Sequence, residues 1–432
     1  MRRRFFIFGF FCFFVIIQAD DSFGELLFVK DCDNIAGFSN QNMNIAKGLA
    51  SRLTPLPLPL SSEMPLLFRY FPVLCEKIPY VSLGEFPSDV QKIPDLGEEF
   101  STSNVLYIKR DDSCGERHIG CSYEICPHLR FGGGKVRKLE FVLADALHHR
   151  AKTVLAISTL GSNHAPATRF YAHRIGLGSI LIFENEEIIT SIARRNLLIC
   201  RFYEDNIHLC YDKNSLNSIL FGSFFKHKLL YGDFPYIIPE YGSSVLDFIG
   251  FVNAAFELRE QIEAGDVPIP DAIYIPLGTM RSVAGLVFGL KVAQLNIKVC
   301  AIKVRENSSF SKKQLINLTN EANDIFKKYD SIFDMGEFSS SDVEVIKYPS
   351  NITSDDLQSF KEAMSIFGVH GQPVFDEGYS FRAFVTFLLD AKNVDNKNLL
   401  FWDTYYDNDF SSVNSAVDFK LLPREFHHFF QE

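Results

Sequence analysis

From Val136 to Leu290 the hydrophobic pattern keeps changing period, and this alternation limits the fold more than any other feature of the chain. Val136, Leu139, Val142, Leu143, Ala146 and Leu147 recur at helical spacing, and the run AKTVLAIS that follows from Ala151 reads as a buried parallel strand. A helix from Asn163 to Ile175, the strand GSILIF from Gly178, the amphipathic helix Phe248 to Glu263, the strand DAIYIPL from Asp271 and a helix opening near Ser282 continue the series. Strands alternating with helices in this way predict an α/β protein on mostly parallel sheets. No internal repeat is present. The serines at 308–311 and 339–341 read as loops, and Gly37 to Asp95 as a proline-punctuated lead-in.

With 432 residues the chain can form one large or two medium domains around a sizeable core. Hydrophobic residues at 47% and charged residues at 22% exclude wholesale disorder and a multi-span membrane protein. The net charge is −10, and no long basic run lies beyond the first four residues, so no nucleic-acid partner is expected. A small-molecule enzyme is the better default.

The start of the chain stands apart. MRRR precedes thirteen mostly apolar residues, Phe5 to Ile17, and then the polar QADDS, the layout of a secretory signal peptide. Such a segment spans roughly 20 Å as a helix, short of a bilayer core of about 30 Å. Ala19 fits a cleavage residue, so residues 1–19 are expected to be a signal peptide or an N-terminal anchor. That places the chain in an exported, periplasmic or membrane-anchored setting, with a buried N-terminal helix in a cytoplasmic protein as the alternative.

Among the nine cysteines, Cys114, Cys121 and Cys126 lie with His118 and His128 within fifteen residues. These are zinc-ligand types, but the spacing is not CxxC. The reading preferred here is a surface loop with incidental thiols, so no metal is expected. The sequons at Asn307, Asn317 and Asn351 matter only in a host that glycosylates secreted chains.

Three places carry chemistry, mostly at strand-to-helix turns, where open α/β sheets put their ligand sites. In the first, YIKRDD at Tyr107 to Asp112 precedes RFGGGKVRKLEFVLADAL, whose glycines let the backbone approach a ligand and whose Lys135 opens a helix. The helix dipole there disfavours a cation and favours a neutral amine, the state a covalent nucleophile needs. The plain alternative is a surface lysine beside Arg137 and Lys138 in a basic turn. In the second, STLGSNHAPAT at Ser158 to Thr168, the residues Ser162, Asn163 and His164 offer a pocket for a carboxylate or phenolate oxygen. N-capping by Ser162 or Asn163 would explain one of them, not the cluster. In the third, IPLGTMRSVAGLVFGL at Ile275 to Leu290, a turn with Gly278, Thr279, Ser282 and Gly285 can cradle a phosphate monoester. Neither a Walker loop nor a dinucleotide fingerprint is present.

These pieces together resemble the fold type II pyridoxal-phosphate enzymes related to 1-aminocyclopropane-1-carboxylate deaminase and D-cysteine desulfhydrase. KRDD at Lys109, GGxKxRKLEFxLADA around Lys135, GSNH at Gly161, NAAFEL at Asn253, the turn at Gly278 and PVF at Pro373 occur in family order over Pro72 to Thr404. The resemblance implies a two-domain, tryptophan synthase beta-like fold with helices on both faces of its sheets. The larger, cofactor-binding domain would take residues 20–140 and 245–432, and the smaller one 141–244. It further implies that pyridoxal 5'-phosphate is the cofactor and Lys135 its covalent lysine. Asn163 would hold the phenolic oxygen, and Gly278, Thr279, Met280, Arg281 and Ser282 the phosphate. Ser162, Asn163 and His164 would meet a small amino-acid substrate. Asp376 would face the pyridine nitrogen, with Glu377 taking that place if one residue is inserted. A homodimer is implied as well.

The sequence also departs from the family. Gly134 replaces the asparagine of GGNK, Arg281 a glycine, Phe375 a tyrosine, and DTYY at Asp403 to Tyr406 stands for HTGG. Two readings follow. One is an active lyase or deaminase, with the lysine amine as base for the alpha proton and Ser162 at the substrate, releasing a 2-oxo acid and ammonia. The other is a non-catalytic cofactor- or amino-acid-binding relative. The persistence of Lys135, Ser162 and Asn163 favours the enzyme. Tyr379, four residues beyond Phe375, is a candidate for the missing hydroxyl, although one more aromatic among 16 tyrosines is the simpler reading.

Overall fold

The changes of period become an alternation of strands and helices in space. The computed structural model describes residues 64–96, 100, 102–117, 130–187, 189–203, 206–238, 244–278, 280–304, 310–365, 379–405 and 417–431. The expected signal segment, residues 1–19, lies outside them. Where the lead-in reads as irregular, two short helices form, α1 (Leu66–Tyr70) and α2 (Pro72–Cys75), because Leu66, Leu67, Phe68 and Leu74 are buried.

Strand β1 (Val90–Lys92) pairs antiparallel with β2 (Val105–Arg110), and a short ribbon, β3 (Glu116–Arg117) with β4 (Arg130–Phe131), follows. Helix α3 (Gly134–His148) then leads into β5 (Thr153–Thr159), α4 (His164–Arg174), β6 (Gly178–Glu184) and α5 (Ser191–Tyr203). Next come β7 (Ile207–Cys210), α6 (Lys213–Tyr231) and β8 (Tyr236–Ile237). The chain continues through α7 (Ile249–Ala264), β9 (Ala272–Pro276), α8 (Met280–Val292), β10 (Lys298–Lys303) and α9 (Lys312–Lys327). It closes with β11 (Val343–Lys347), α10 (Ser354–Ser365), α11 (Ser380–Ala391) and β12 (Asn398–Asp403).

The strands form two main sheets. One has the order β7-β6-β5-β8 and is parallel throughout. The other has the order β1-β2-β12-β9-β10-β11 and is parallel except at β1. Strand β12, the last strand among the described residues, therefore sits mid-sheet, between β2 and β9. The domain edge expected at residues 140–141 falls inside α3, which packs against both α7 and α4.

Strand β12 shows why both faces of the larger sheet are covered. Its side chains alternate, so Leu400 and Trp402 enter the core that holds α3, α7 and α8, while Leu399 and Phe401 enter the opposite one. There Phe401 meets Phe384 and Phe387 of α11 with ring centroids 5.2 and 5.5 Å away. The abundant phenylalanine thus fills the space between sheet and helix. On the other face α7 and α8 approach closely, since a Cβ on Gly285 would lie 2.6 Å from the Phe248 carbonyl oxygen. Polar devices fix the helix ends: Asp212 with Ser215 and Ser311 with Gln314 form capping boxes for α6 and α9.

Candidate active site

Helix α3 begins where the sequence places its glycines. Gly133 takes φ +82°, a conformation that favours glycine, and Gly134 N donates to the Thr404 carbonyl at 2.9 Å. A Cβ at Gly134 would lie 2.9 Å from the Phe251 ring, so an asparagine could enter only if that ring moved. Lys135 follows, half-buried at the helix start.

The plain alternative, a surface basic turn, does not hold for Arg137, whereas Lys135 and Lys138 are half-buried. Arg137 is 1% exposed and reaches two carboxylates at once. It donates to both oxygens of Asp111 at 2.8 and 2.7 Å and to both oxygens of Glu257 at 2.7 and 3.0 Å. Asp111 also accepts from Ser88 Oγ at 2.7 Å and from Trp402 Nε1 at 2.8 Å. Lys109 Nζ donates to the Ser88 carbonyl and to Gln261 Oε1, 3.6 Å from Glu257 Oε2. Two cations thus face two carboxylates in a buried, electrically balanced cluster. Burial opposes ionisation of Asp111, but the charge and hydrogen bonds of Arg137 hold its carboxyl below the ordinary value. One turn along, Glu140 accepts from Leu83 N at 3.0 Å, Gly84 N at 3.3 Å and Tyr80 OH at 3.2 Å. The helix bearing Lys135 is therefore pinned on successive turns. Sequence reading saw the KRDD and RKLE motifs but not this purpose for them.

The start of α4 is held from α5. Asn163 Oδ1 accepts from Asn196 Nδ2 at 3.3 Å and from Arg195 Nη2 at 3.4 Å, and Asn196 also donates to the Ser162 carbonyl at 3.2 Å. With its oxygen turned to α5, the amide of Asn163 presents its N–H₂ side elsewhere. Asn163 occupies the capping position without capping through its side chain, while Ser162 Oγ accepts from His164 N at 3.2 Å. His164 is buried, and its Nδ1 has no hydrogen-bond partner among the described residues. Burial first, and then the charges of Lys135 and Lys138, hold its imidazole well below the ordinary histidine value, so it is neutral. Helix α3 also packs against α4.

The third turn joins them. After β9, Leu277 N donates to the Ile302 carbonyl at 2.8 Å, Gly278 turns the chain, and α8 starts at Met280 with Arg281 and Ser282 half-buried. Thr279 lies outside the described residues, as do Phe375, Asp376 and Glu377. Buried Asp247 links the two helix starts, receiving Lys138 Nζ at 2.8 Å and lying 3.5 Å from Arg281 Nε. The Tyr379 hydroxyl packs on Gly278 and donates to the Pro276 carbonyl at 3.4 Å, and its ring centroid is 6.4 Å from that of Tyr405. Tyr405 N in turn donates to Asp403 Oδ1 at 3.2 Å. Burial, with Asp112 nearby, pushes the Asp403 carboxyl well above the ordinary range.

Of the zinc-type group, His118, Cys121, Cys126 and His128 lie outside the described residues, and Cys114 is a buried free thiol. Among the described residues no group of three metal-ligating side chains forms, and no helix is long and apolar enough to cross a membrane.

These turns present an amine at the start of α3, an amide and, among the described residues, an unpartnered imidazole nitrogen at the start of α4, and a glycine turn before α8, whose Arg281 is linked to α3 through Asp247 and Lys138. Such a set suits a phosphorylated ring bearing a phenolic oxygen and an electrophilic carbon. Together with the paired parallel sheets it defines a fold type II pyridoxal-phosphate enzyme. The family model described as pyridoxal-phosphate dependent enzyme matches residues 123–365, and the chain belongs to that family. Its cofactor is pyridoxal phosphate. The bifunctional D-cysteine desulfhydrase/1-aminocyclopropane-1-carboxylate deaminase of Arabidopsis thaliana is 27% identical over 333 residues, 75% of this chain and 77% of that one. A D-cysteine desulfhydrase of Salmonella paratyphi B is 27% identical over 56% of this chain and 69% of its own length. The crystal structure of an ACC deaminase homologue superposes with a TM-score of 0.59 at 25% identity, covering 79% of this chain and 95% of that one.

Proposed function

We propose that the chain is a lyase or deaminase acting on a small amino acid, like the D-cysteine desulfhydrases and 1-aminocyclopropane-1-carboxylate deaminases among its relatives, and releases a 2-oxo acid and ammonia. The observation that carries this reading is that α3, which bears Lys135, packs on α4, whose start presents the anchored amide of Asn163 and the buried Nδ1 of His164, unpartnered among the described residues. Lys135 would hold the cofactor covalently, Asn163 would donate to its phenolic oxygen, and the turn from Gly278 through Thr279, Met280, Arg281 and Ser282 would hold its phosphate. By family resemblance, Asp376 would face the pyridine nitrogen. Pyridoxal phosphate, when bound, would supply the electron sink for negative charge developing next to the substrate's amino nitrogen. The chain does the rest. From a substrate with a Cα–H, such as D-cysteine, Lys135 Nζ would take the alpha proton, whereas 1-aminocyclopropane-1-carboxylate has none and would have to lose a proton from a ring methylene. Ser162 and the N–H groups at the start of α4 would orient the substrate carboxylate, and His164 would add a polar contact.

Two of the departures from the family have local causes that leave these groups in place. The Phe251 ring fills the space beside Gly134, and Arg281 shares Asp247 with Lys138. The test is a visible absorption spectrum of the wild type and of Lys135→Ala with added pyridoxal phosphate, followed by keto-acid release from a panel that includes D-cysteine and 1-aminocyclopropane-1-carboxylate. A cofactor band present in the wild type and absent in the variant, with turnover lowered at least about a hundredfold, is expected. A wild-type band without keto acid from any amino acid would leave the non-catalytic reading in its place.

A further inference from the structure

Exposed apolar side chains are not scattered over this molecule. Of the twelve large ones among the described residues, seven lie between Tyr211 and Phe234, on and around α6. Such clustering marks a contact surface, whereas single exposed hydrophobics are ordinary. The inner side of α6 is already used, with Leu216, Ile219, Leu220 and Phe224 packed on β5 and β6. Phe221, Phe225 and Leu229 recur every four residues along the opposite side and are 58%, 53% and 51% exposed.

The charges beside this stripe choose its partner. Lys226 and Lys228 project to either side of it by helical geometry, and Lys228 Nζ lies 5.1 Å from the centroid of the exposed Phe234 ring. Residues 213–231 contain three lysines and no carboxylate, in a chain of net charge −10. The acids nearest in sequence, Asp212 and Asp233, stand beyond the two ends, where they accept from Ser215 N and Phe234 N. A second copy seated here would bring lysine toward lysine with no carboxylate on the helix to pair them, and lysine is depleted in the cores of protein interfaces. An anionic lipid surface suits every feature. Phenylalanine and leucine enter the acyl boundary, lysine stems lie along them with the ammonium at phosphate level, and Tyr211 and Tyr231 sit at the border.

We propose that the outward face of α6 is a docking surface for anionic membranes. The proposal is independent of the reaction catalysed. The test is cosedimentation of the full chain, loaded with pyridoxal phosphate, with vesicles of phosphatidylcholine alone or with about a third phosphatidylglycerol. Wild type, Phe221→Ser/Phe225→Ser and Lys226→Glu/Lys228→Glu are compared, and all three keep Phe5 to Ile17, so differences among them report α6. The wild type is expected to bind the anionic vesicles at least about tenfold better than the neutral ones, and to release at about 0.5 M salt. The serine variant should lose about tenfold in binding with its circular dichroism and cofactor absorbance unchanged, and the glutamate variant should lose the anionic preference. Equal binding by wild type and serine variant, no binding by either, or a wild-type dimer that the serine substitutions dissociate would overturn the proposal, the last by putting a second copy on this face.

Discussion

The hydroxyl of Tyr379 lies against Gly278, in the place where a side chain's first carbon would stand. The turn between β9 and α8 therefore tolerates no substituent while that hydroxyl is present.

Gly278→Ala should consequently displace Tyr379 and weaken pyridoxal-phosphate binding by about ten- to a hundredfold, the range that roughly 1–3 kcal/mol of overpacking implies. Adding Tyr379→Phe removes the obstructing oxygen and should restore most of the loss. Absorbance titrations of the two single variants and the double variant read this directly. An effect in the double variant equal to the sum of the singles would show that the two residues do not interact.

Arg281 stands beside the turn assigned to the phosphate, tied to Asp247. Arg281→Met should lower affinity for pyridoxal phosphate about tenfold and leave affinity for pyridoxal, which lacks the phosphate, unchanged. Parallel titrations with the two compounds distinguish this from a general loss of the site, which would weaken both.

Beneath Lys135, Arg137 bridges Asp111 and Glu257 out of contact with water and, with Lys109, balances their charge. Arg137→Met leaves two buried carboxylates sharing Lys109 alone and should destabilise the fold by about 3–5 kcal/mol. Urea denaturation measures it. A loss under about 1 kcal/mol would mean that the cluster does not hold α3 in place.

Glu140 gives a pH signature. Burial, only partly offset by the N–H groups of Leu83 and Gly84, pushes its carboxyl from an ordinary 4.5 up to about 8. Between these values the folded chain holds a proton that the unfolded chain releases, so wild-type stability falls as pH rises across that window, by up to about 1.4 kcal/mol per pH unit from this group. Glu140→Gln removes the contribution. Its stability relative to wild type should therefore climb from about pH 4.5 to about pH 8, and parallel urea titrations would show no such climb if the carboxyl were ionised throughout.

The turns that build the site were legible because their signals are local. The switch from a β-branched run to helical spacing around Ser162 and Gly278 is contained in about ten residues, and so is the glycine run before Lys135. Arg137 was not legible, because its partners Asp111 and Glu257 lie 26 and 120 residues away. Only the packing of α3 on β2 and α7 distinguishes it from a surface arginine. The same holds for Asp247, whose place between Lys138 and Arg281 has no counterpart in spacing. Asn163 was read from its neighbours, but the anchoring by Asn196 that turns its amide comes from a helix further along the chain.

The mid-sheet position of β12 bears on how the chain is made. A ribosome delivers β2 and β9 long before residues 398–403, and no direct pairing between those two strands can anticipate the one that later separates them. Thr404, which receives the Gly134 N–H, and Trp402, which donates to Asp111, arrive with that final strand. A nascent chain stopped short of it carries Lys135 on a helix whose seat is incomplete, so α3 is fully seated only once residue 404 has been made.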